Sequence, residues 1–424
     1  MMNINLKTKN KRLLIHEDWV VDILGLGIIA IALSGILIHS PKFEWTTLGD
    51  LSSIFMDRSN VVLILSQFSF TYLVAIAGTI LTGRDLKATL SGFPVVFTLT
   101  VGALLLGGSK SMKELNLETV IFSLGIGLLI GNAFKIPTWL KNSLSTELYV
   151  KIGLVLLGTS VIFGDILKAG TLGLLQSLIV VISVWHFAYW LSRKLKIDDE
   201  MALMLSSAVS ICGVSAAIAT SGAIDGDNKK LSYVISLVLI TAIPMMLFMP
   251  YAAQLLGLSP QATGAWLGGT IDTSGAVVAA GSLAGDEALK ISTIVKFSQN
   301  VLLGIAAFAI SLYWTYTKAE SDPTRKIKPS GRVIWERFPK FIIGFIVASL
   351  LFSFILSDAQ ISSVKGSMKG LQGLWFALAF TSIGLETRLA DLFNKDNKKP
   401  LYAFLIAQTF NIFITLIVAY ICFN

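Results

Sequence analysis

Charge is scarce here: Asp, Glu, Lys and Arg make up 14% of 424 residues while 54% are hydrophobic, and no soluble interior could hide that much apolar surface. Cysteine is nearly missing. Cys212 and Cys422 cannot build the disulfide framework of a small secreted domain. The three histidines, His16, His39 and His186, lack the HxxxH type of spacing that would hold zinc, so no metal or other cofactor is expected. They are also too scattered to serve as bases beside a nucleophile, so an enzymatic role is not expected; a membrane-embedded enzyme remains only as an alternative. No GxxxxGK[ST] loop occurs, which excludes nucleotide-driven pumping by this chain and leaves open a partner chain that hydrolyses nucleotide.

What the chain has is long apolar runs. A hydrocarbon slab of about 30 Å takes roughly 20 apolar residues per helix, and the backbone inside it must satisfy its own hydrogen bonds. The sequence therefore predicts an all-α polytopic membrane protein with about thirteen transmembrane helices, two of them broken. The first run, from Val20 to Ile38, follows the basic KTKNKRLLIHEDW and ends without a small-residue cleavage pattern, so it reads as a retained helix. With the N-terminus inside, the loops facing inward carry 22 Lys and Arg and those facing outward 10, the asymmetry that sets orientation. This places the chain in the inner or plasma membrane, N-terminus cytoplasmic and Asn424 external. The net charge of +8 then faces anionic headgroups and calls for no nucleic acid. The organisation expected is a tail and extra transmembrane helices over 1–117, a transporter core with two discontinuous helices over 118–316, a cytoplasmic linker over 317–340 and C-terminal helices over 341–424.

Two basic residues fall inside the runs. Lys151 is near the start of its run, where it could snorkel to the interface. Lys296 heads KFSQN, which puts Lys296, Gln299 and Asn300 on one helix face; a buried charge of this kind needs a partner or a function. Asp272 is the partner if the role is structural. Gln408 and Asn411 in the last run read as interhelical glue.

The stretch SSAVSICGVSAAIATSGA, from Ser206 to Ala223, has no Leu, Phe or Trp. It fits either a tightly packed central helix or a discontinuous one that unwinds around Ile211, Cys212 and Gly213 to face a ligand. GAWLGGTIDTSGAVVAAGS, from Gly264 to Ser282, repeats the pattern with five glycines and Asp272. Two such segments in one chain point to a site where they meet.

At these residues the chain resembles the bacterial sulfate-exporter family, a name given to a set of uncharacterised membrane proteins. The resemblance rests on SICGVSAAIAT, GLLIGN (127–132), KIGLVLLGTSVIFGDILKAG (151–170), WLGGTIDTSGAVVAAG from Trp266, IVKFSQN (294–300) and TSIGLETRLADL (381–392), and it covers residues 118–422. It implies a secondary transporter related to the sodium/proton antiporter and bile-acid symporter fold, with inverted repeats and broken, crossing helices. The first three runs are extra to the family core. Where many members carry a His and an acidic residue, this chain has Asp272 and Thr273, which leaves substrate and coupling ion open. An echo of an internal repeat joins Gly158 and Asp165 to Gly384 and Asp391, seven apart in each case.

The function expected is secondary active transport of a small anion of the sulfate or organosulfonate class, by alternating access around the two broken helices; an anion channel or receptor is the alternative. Substrate would be bound by Ser210, Cys212, Gly213 and Ser215 from one segment, by Gly268, Gly269, Thr270, Thr273 and Ser274 from the other, and by Lys296 and Asn300. Asp272 would take a coupling proton or sodium. The partners expected are the anion, that coupling ion and the lipid bilayer, with a homo-oligomer left open.

Overall fold

The structure is a computed structural model that describes residues 15–114, 119–318, 332–387 and 398–424. The N-terminal tail, most of the expected 317–340 linker and Asp391 of the repeat echo lie outside the described residues. Those described form helices and no strand. Six helices are long and apolar enough to cross a membrane: Arg58–Thr82, Leu86–Gly108, Phe163–Lys194, Lys229–Leu255, Asp286–Trp314 and Lys398–Phe423. Shorter apolar helices, among them Thr119–Ala133 and Phe341–Ile355, stand beside them.

The helices gather into two bundles that are not contiguous in sequence. One holds the helices between Glu17 and Leu157 together with Phe341–Leu350 and Asp358–Glu386. Its centre is a small-residue seam: Gly127 lies against the backbone of Thr381 and Gly384, an approach that any side chain would block. This is why GLLIGN and TSIGLE both carry glycine. The other bundle holds Phe163–Lys194, everything from Asp199 to Lys318, and the last helix, Lys398–Phe423. An aromatic seam joins the two, with Phe297 edge-on to Phe341 at 5.4 Å and to Phe345 at 5.1 Å.

The two unusual segments are both broken, and both turn back. In the first, Asp199–Ser207 runs into a π-helical turn over Ala208–Cys212, and Val214–Ile224 follows. The hydroxyls of Ser206 and Ser210 donate to carbonyls four residues back, at 2.7 Å each, which competes with the regular ladder and bends it. The turn itself is Gly213 at φ 59°, ψ −110°, a conformation open in practice to glycine. The two ends come together: Lys230 Nζ lies 2.6 Å from Asp198 and 3.2 Å from Glu200. In the second segment, Pro260–Thr270 starts on a Ser259 cap with Pro at its first position. It breaks at Ile271 and Asp272, and Ser274–Ala284 restarts on Thr273, whose hydroxyl accepts from Ala276 N at 3.3 Å. Gly264 and Gly281, one on each arm, both pack on residues 288–292 of the next helix. Each segment is thus a hairpin that leaves on the side it entered. This corrects the expectation that the two segments cross the bilayer as broken helices.

Where the hairpin tips meet

The tips touch: a Cβ added to Gly213 would lie 3.1 Å from Asp272 Cβ. Four half-helix ends converge there, two C-terminal and two N-terminal, and the protein treats the two kinds differently.

At the C-terminal ends the last carbonyls have no intrahelical donor and form the negative pole of the helix. Lys296, 1% exposed, reaches in from the Asp286–Lys318 helix. Its Nζ donates to Ile211 O at 2.9 Å, Ile271 O at 2.8 Å and Gln299 Oε1 at 2.8 Å. Gln299 Nε2 donates to Ser210 O at 3.0 Å and Gly269 O at 3.2 Å. From the last helix, Asn411 Nδ2 donates to Val209 O at 3.0 Å and Thr270 O at 3.2 Å, and Gln408 Nε2 to Thr270 O at 3.1 Å. Lys296, Gln299 and Asn411 each bridge both hairpins. Gln408 and Asn411 therefore do act between helices. The expected ion pair of Lys296 with Asp272 is absent among the described salt bridges, because all three ammonium donors already have acceptors. Asp272, 2% exposed, keeps one carboxylate oxygen without a partner.

The N-terminal ends face a cavity of about 490 Å³. Near the tips it is lined by Cys212, Val214 and Ser215 from the first hairpin, by Thr273, Ser274 and Gly275 from the second, and by Asn300. The first N–H groups of a helix lack intrahelical acceptors and carry its positive pole, which makes such ends anion sites. Asn300 Nδ2 donates to Ser274 Oγ at 3.3 Å, and its Oδ1 is buried without a partner.

Of the residues expected to bind substrate, Cys212, Ser215, Thr273, Ser274 and Asn300 line this cavity. Ser210, Gly213, Gly268, Gly269, Thr270 and Lys296 do not, and neither does Asp272, expected to take the coupling ion. The Ser210 hydroxyl is turned to Ser206 O, Gly268 backs onto Ser292, Gly269 packs on Gln176, and the Thr270 hydroxyl is buried without a partner. Lys296 in particular has no donor left for a ligand, so the direct contact expected of it gives way to a hold on the two tips.

The cavity is also lined by the charged or ionisable residues His16, Asp18, Glu147, Lys151, Glu336 and Glu386. Lys151 Nζ lies 3.0 Å from Asp18, 3.4 Å from Glu17 and 3.7 Å from Glu147, and Arg84 also pairs with Glu17. Lys151 is held in a half-buried ion-pair cluster. A lysine that needs a partner was the one sequence signal for Glu17 and Asp18; Glu386 was marked only by lying within TSIGLETRLADL. Among the described residues no group of three His, Cys, Asp or Glu could hold a metal ion.

The family model described as "Conserved hypothetical protein 698" matches residues 91–403. A UPF0324 membrane protein of Rhodopirellula baltica is 40% identical over 305 residues, 70% of this chain and 56% of the relative. One of Nitratidesulfovibrio vulgaris is 38% identical over 308 residues, 70% of this chain and 52% of the relative. A UPF0324 membrane protein of Streptococcus pyogenes is 28% identical over 258 residues, 59% of this chain and 74% of the relative. The chain spans little more than half the length of the first two. No solved structure matches it.

Proposed function

The chain belongs to the family described as conserved hypothetical protein 698, whose matching relatives are UPF0324 membrane proteins, and from that premise we propose that it is a secondary active transporter of a small anion. The observation that carries the reading is that two half-helix N-termini, one from each hairpin, open on a single cavity where the hydroxyls of Ser215, Thr273 and Ser274 and the amide of Asn300 line the wall. Membrane transporters with interrupted helices bind anionic groups at such ends. Ser215, Ser274 and Asn300 would hold the ligand beside the free N–H groups. The charge of Lys296 would act from behind the tips, and Asp272, with a free oxygen at the same junction, would take a coupling proton.

Alternating access would come from the hairpin bundle sliding against the other bundle. Hairpins that enter from opposite sides are the arrangement inverted repeats produce, and they fit that part of the expectation. In this reading two of the thirteen apolar segments do not cross. The two omissions cancel for everything after the second hairpin, so the N-terminus stays cytoplasmic and Asn424 external. Lys229 and Lys230 move to the inner face, and the loop charge goes from 22 against 10 to 24 against 8, a cleaner split. The cavity, bounded by His16 and Pro339, then opens to the cytoplasm.

The test is a thermal-shift screen of purified protein against sulfate, sulfite, organosulfonates and carboxylates at several pH values. A ligand at a hundred times its Kd stabilises by about 2.7 kcal/mol. At least one anion should raise Tm, and Asn300→Leu should abolish the shift. Stabilisation by no anion, or a shift that survives in Asn300→Leu, refutes the site. Flux that rises in proportion to concentration without saturating would point to a channel.

A further inference from the structure

The half-helix C-termini at the hairpin tips are the kind of place where transporters with interrupted helices coordinate a free coupling cation. Here that place is filled. Three oxygens, Ile211 O, Ile271 O and Gln299 Oε1, surround Lys296 Nζ at 2.8–2.9 Å, ordinary ammonium hydrogen-bond lengths. Three acceptors on one lysine nitrogen need three N–H donors, which only the ammonium form has. Two of the oxygens come from different hairpins that enter from opposite sides, and the third comes from the helix that carries the lysine. Asp272, with one carboxylate oxygen unpartnered, lies at the same junction.

We propose that Lys296 is a tethered cation: its ammonium occupies a carbonyl cage that would otherwise take a free monovalent cation, so the two hairpin tips are locked together without sodium. This deepens the transport reading and rests on it only for the word coupling; the cage itself is a matter of folding and can be measured with no substrate present. Removing the amine should open the cage to small ammonium ions. In Lys296→Ala the deleted atoms are three carbons and the nitrogen, which is n-propylammonium, whereas tetramethylammonium carries the same charge with no N–H to donate.

The experiment reads Tm of the purified full chain in detergent. In the wild type, replacing sodium by choline at constant ionic strength should leave Tm unchanged. Lys296→Ala should lower Tm by about 5 °C or more, and n-propylammonium should restore much of the loss while tetramethylammonium restores none. A wild type that sodium specifically stabilises overturns the proposal, as does a folded Lys296→Ala that n-propylammonium fails to rescue or that both cations rescue alike. If Lys296→Ala yields no folded protein, the wild-type comparison decides alone. A wild type indifferent to sodium that no anion stabilises would leave the tethered cation standing and remove the transport reading.

Discussion

Gly213→Ala tests the hinge on which the hairpin description turns. Two costs follow from the geometry. The backbone at φ 59°, ψ −110° lies where an L-residue is strained by about 1–3 kcal/mol. The new Cβ would also stand 2.5 Å from Val238 Cγ1 and 3.1 Å from Asp272 Cβ, an overpacking that costs about 1–3 kcal/mol. Together these come to about 2–6 kcal/mol, close to the whole stability of many domains. Gly257→Ala is the control, because Gly257 also has positive φ, 66°, but would meet nothing within 4 Å; it should lose only about 1–2 kcal/mol. The assay is Tm in detergent for both variants, with the anion that stabilises the wild type added in a second run. Gly213→Ala should fall well below Gly257→Ala and should also lose the anion shift, since a displaced tip moves the Val214 and Ser274 helix ends apart. Equal Tm losses in the two variants would mean that the tips do not meet at Gly213.

Hairpins and crossing helices predict opposite faces for two loops. In a cysteine-free background, Lys229→Cys should react with an impermeant maleimide from the same side as Lys87→Cys, and Gln261→Cys from the other side. The reverse pattern would restore two crossing helices. In the cavity wall, Lys151→Met removes the cation that faces Glu17 and Asp18 and should cost about 3–5 kcal/mol, the penalty for orphaning the buried Asp18. Adding Asp18→Asn should recover part of that loss, and a double variant that falls by the full sum of the two single losses would mean that the pair is not coupled.

The membrane class and the two weak points in the helices were legible from composition alone. Apolar runs of bilayer length leave helices as the main option, and a segment with no Leu, Phe or Trp, Ser206–Ala223, does not read as an ordinary span. The stripe of Lys296, Gln299 and Asn300 was also legible, because helix periodicity is local. What each member of the stripe touches was not. Lys296 and Gln299 turn to the C-terminal ends and Asn300 to the N-terminal ends, a division set by where two distant hairpins place their tips. Nor could composition say that the segments turn back. An eleven-residue half-helix rises about 16 Å, roughly half the slab, so a broken crossing helix and a hairpin use the same lengths, the same glycines and the same hydroxyls. The choice is made by contacts between residues far apart in the chain, Lys230 with Asp198 and Glu200, and Gly264 and Gly281 on one stretch of a third helix. Local chemistry fixed where the chain breaks; only the tertiary structure decided which way it goes afterwards, and with that which helix ends face the cavity.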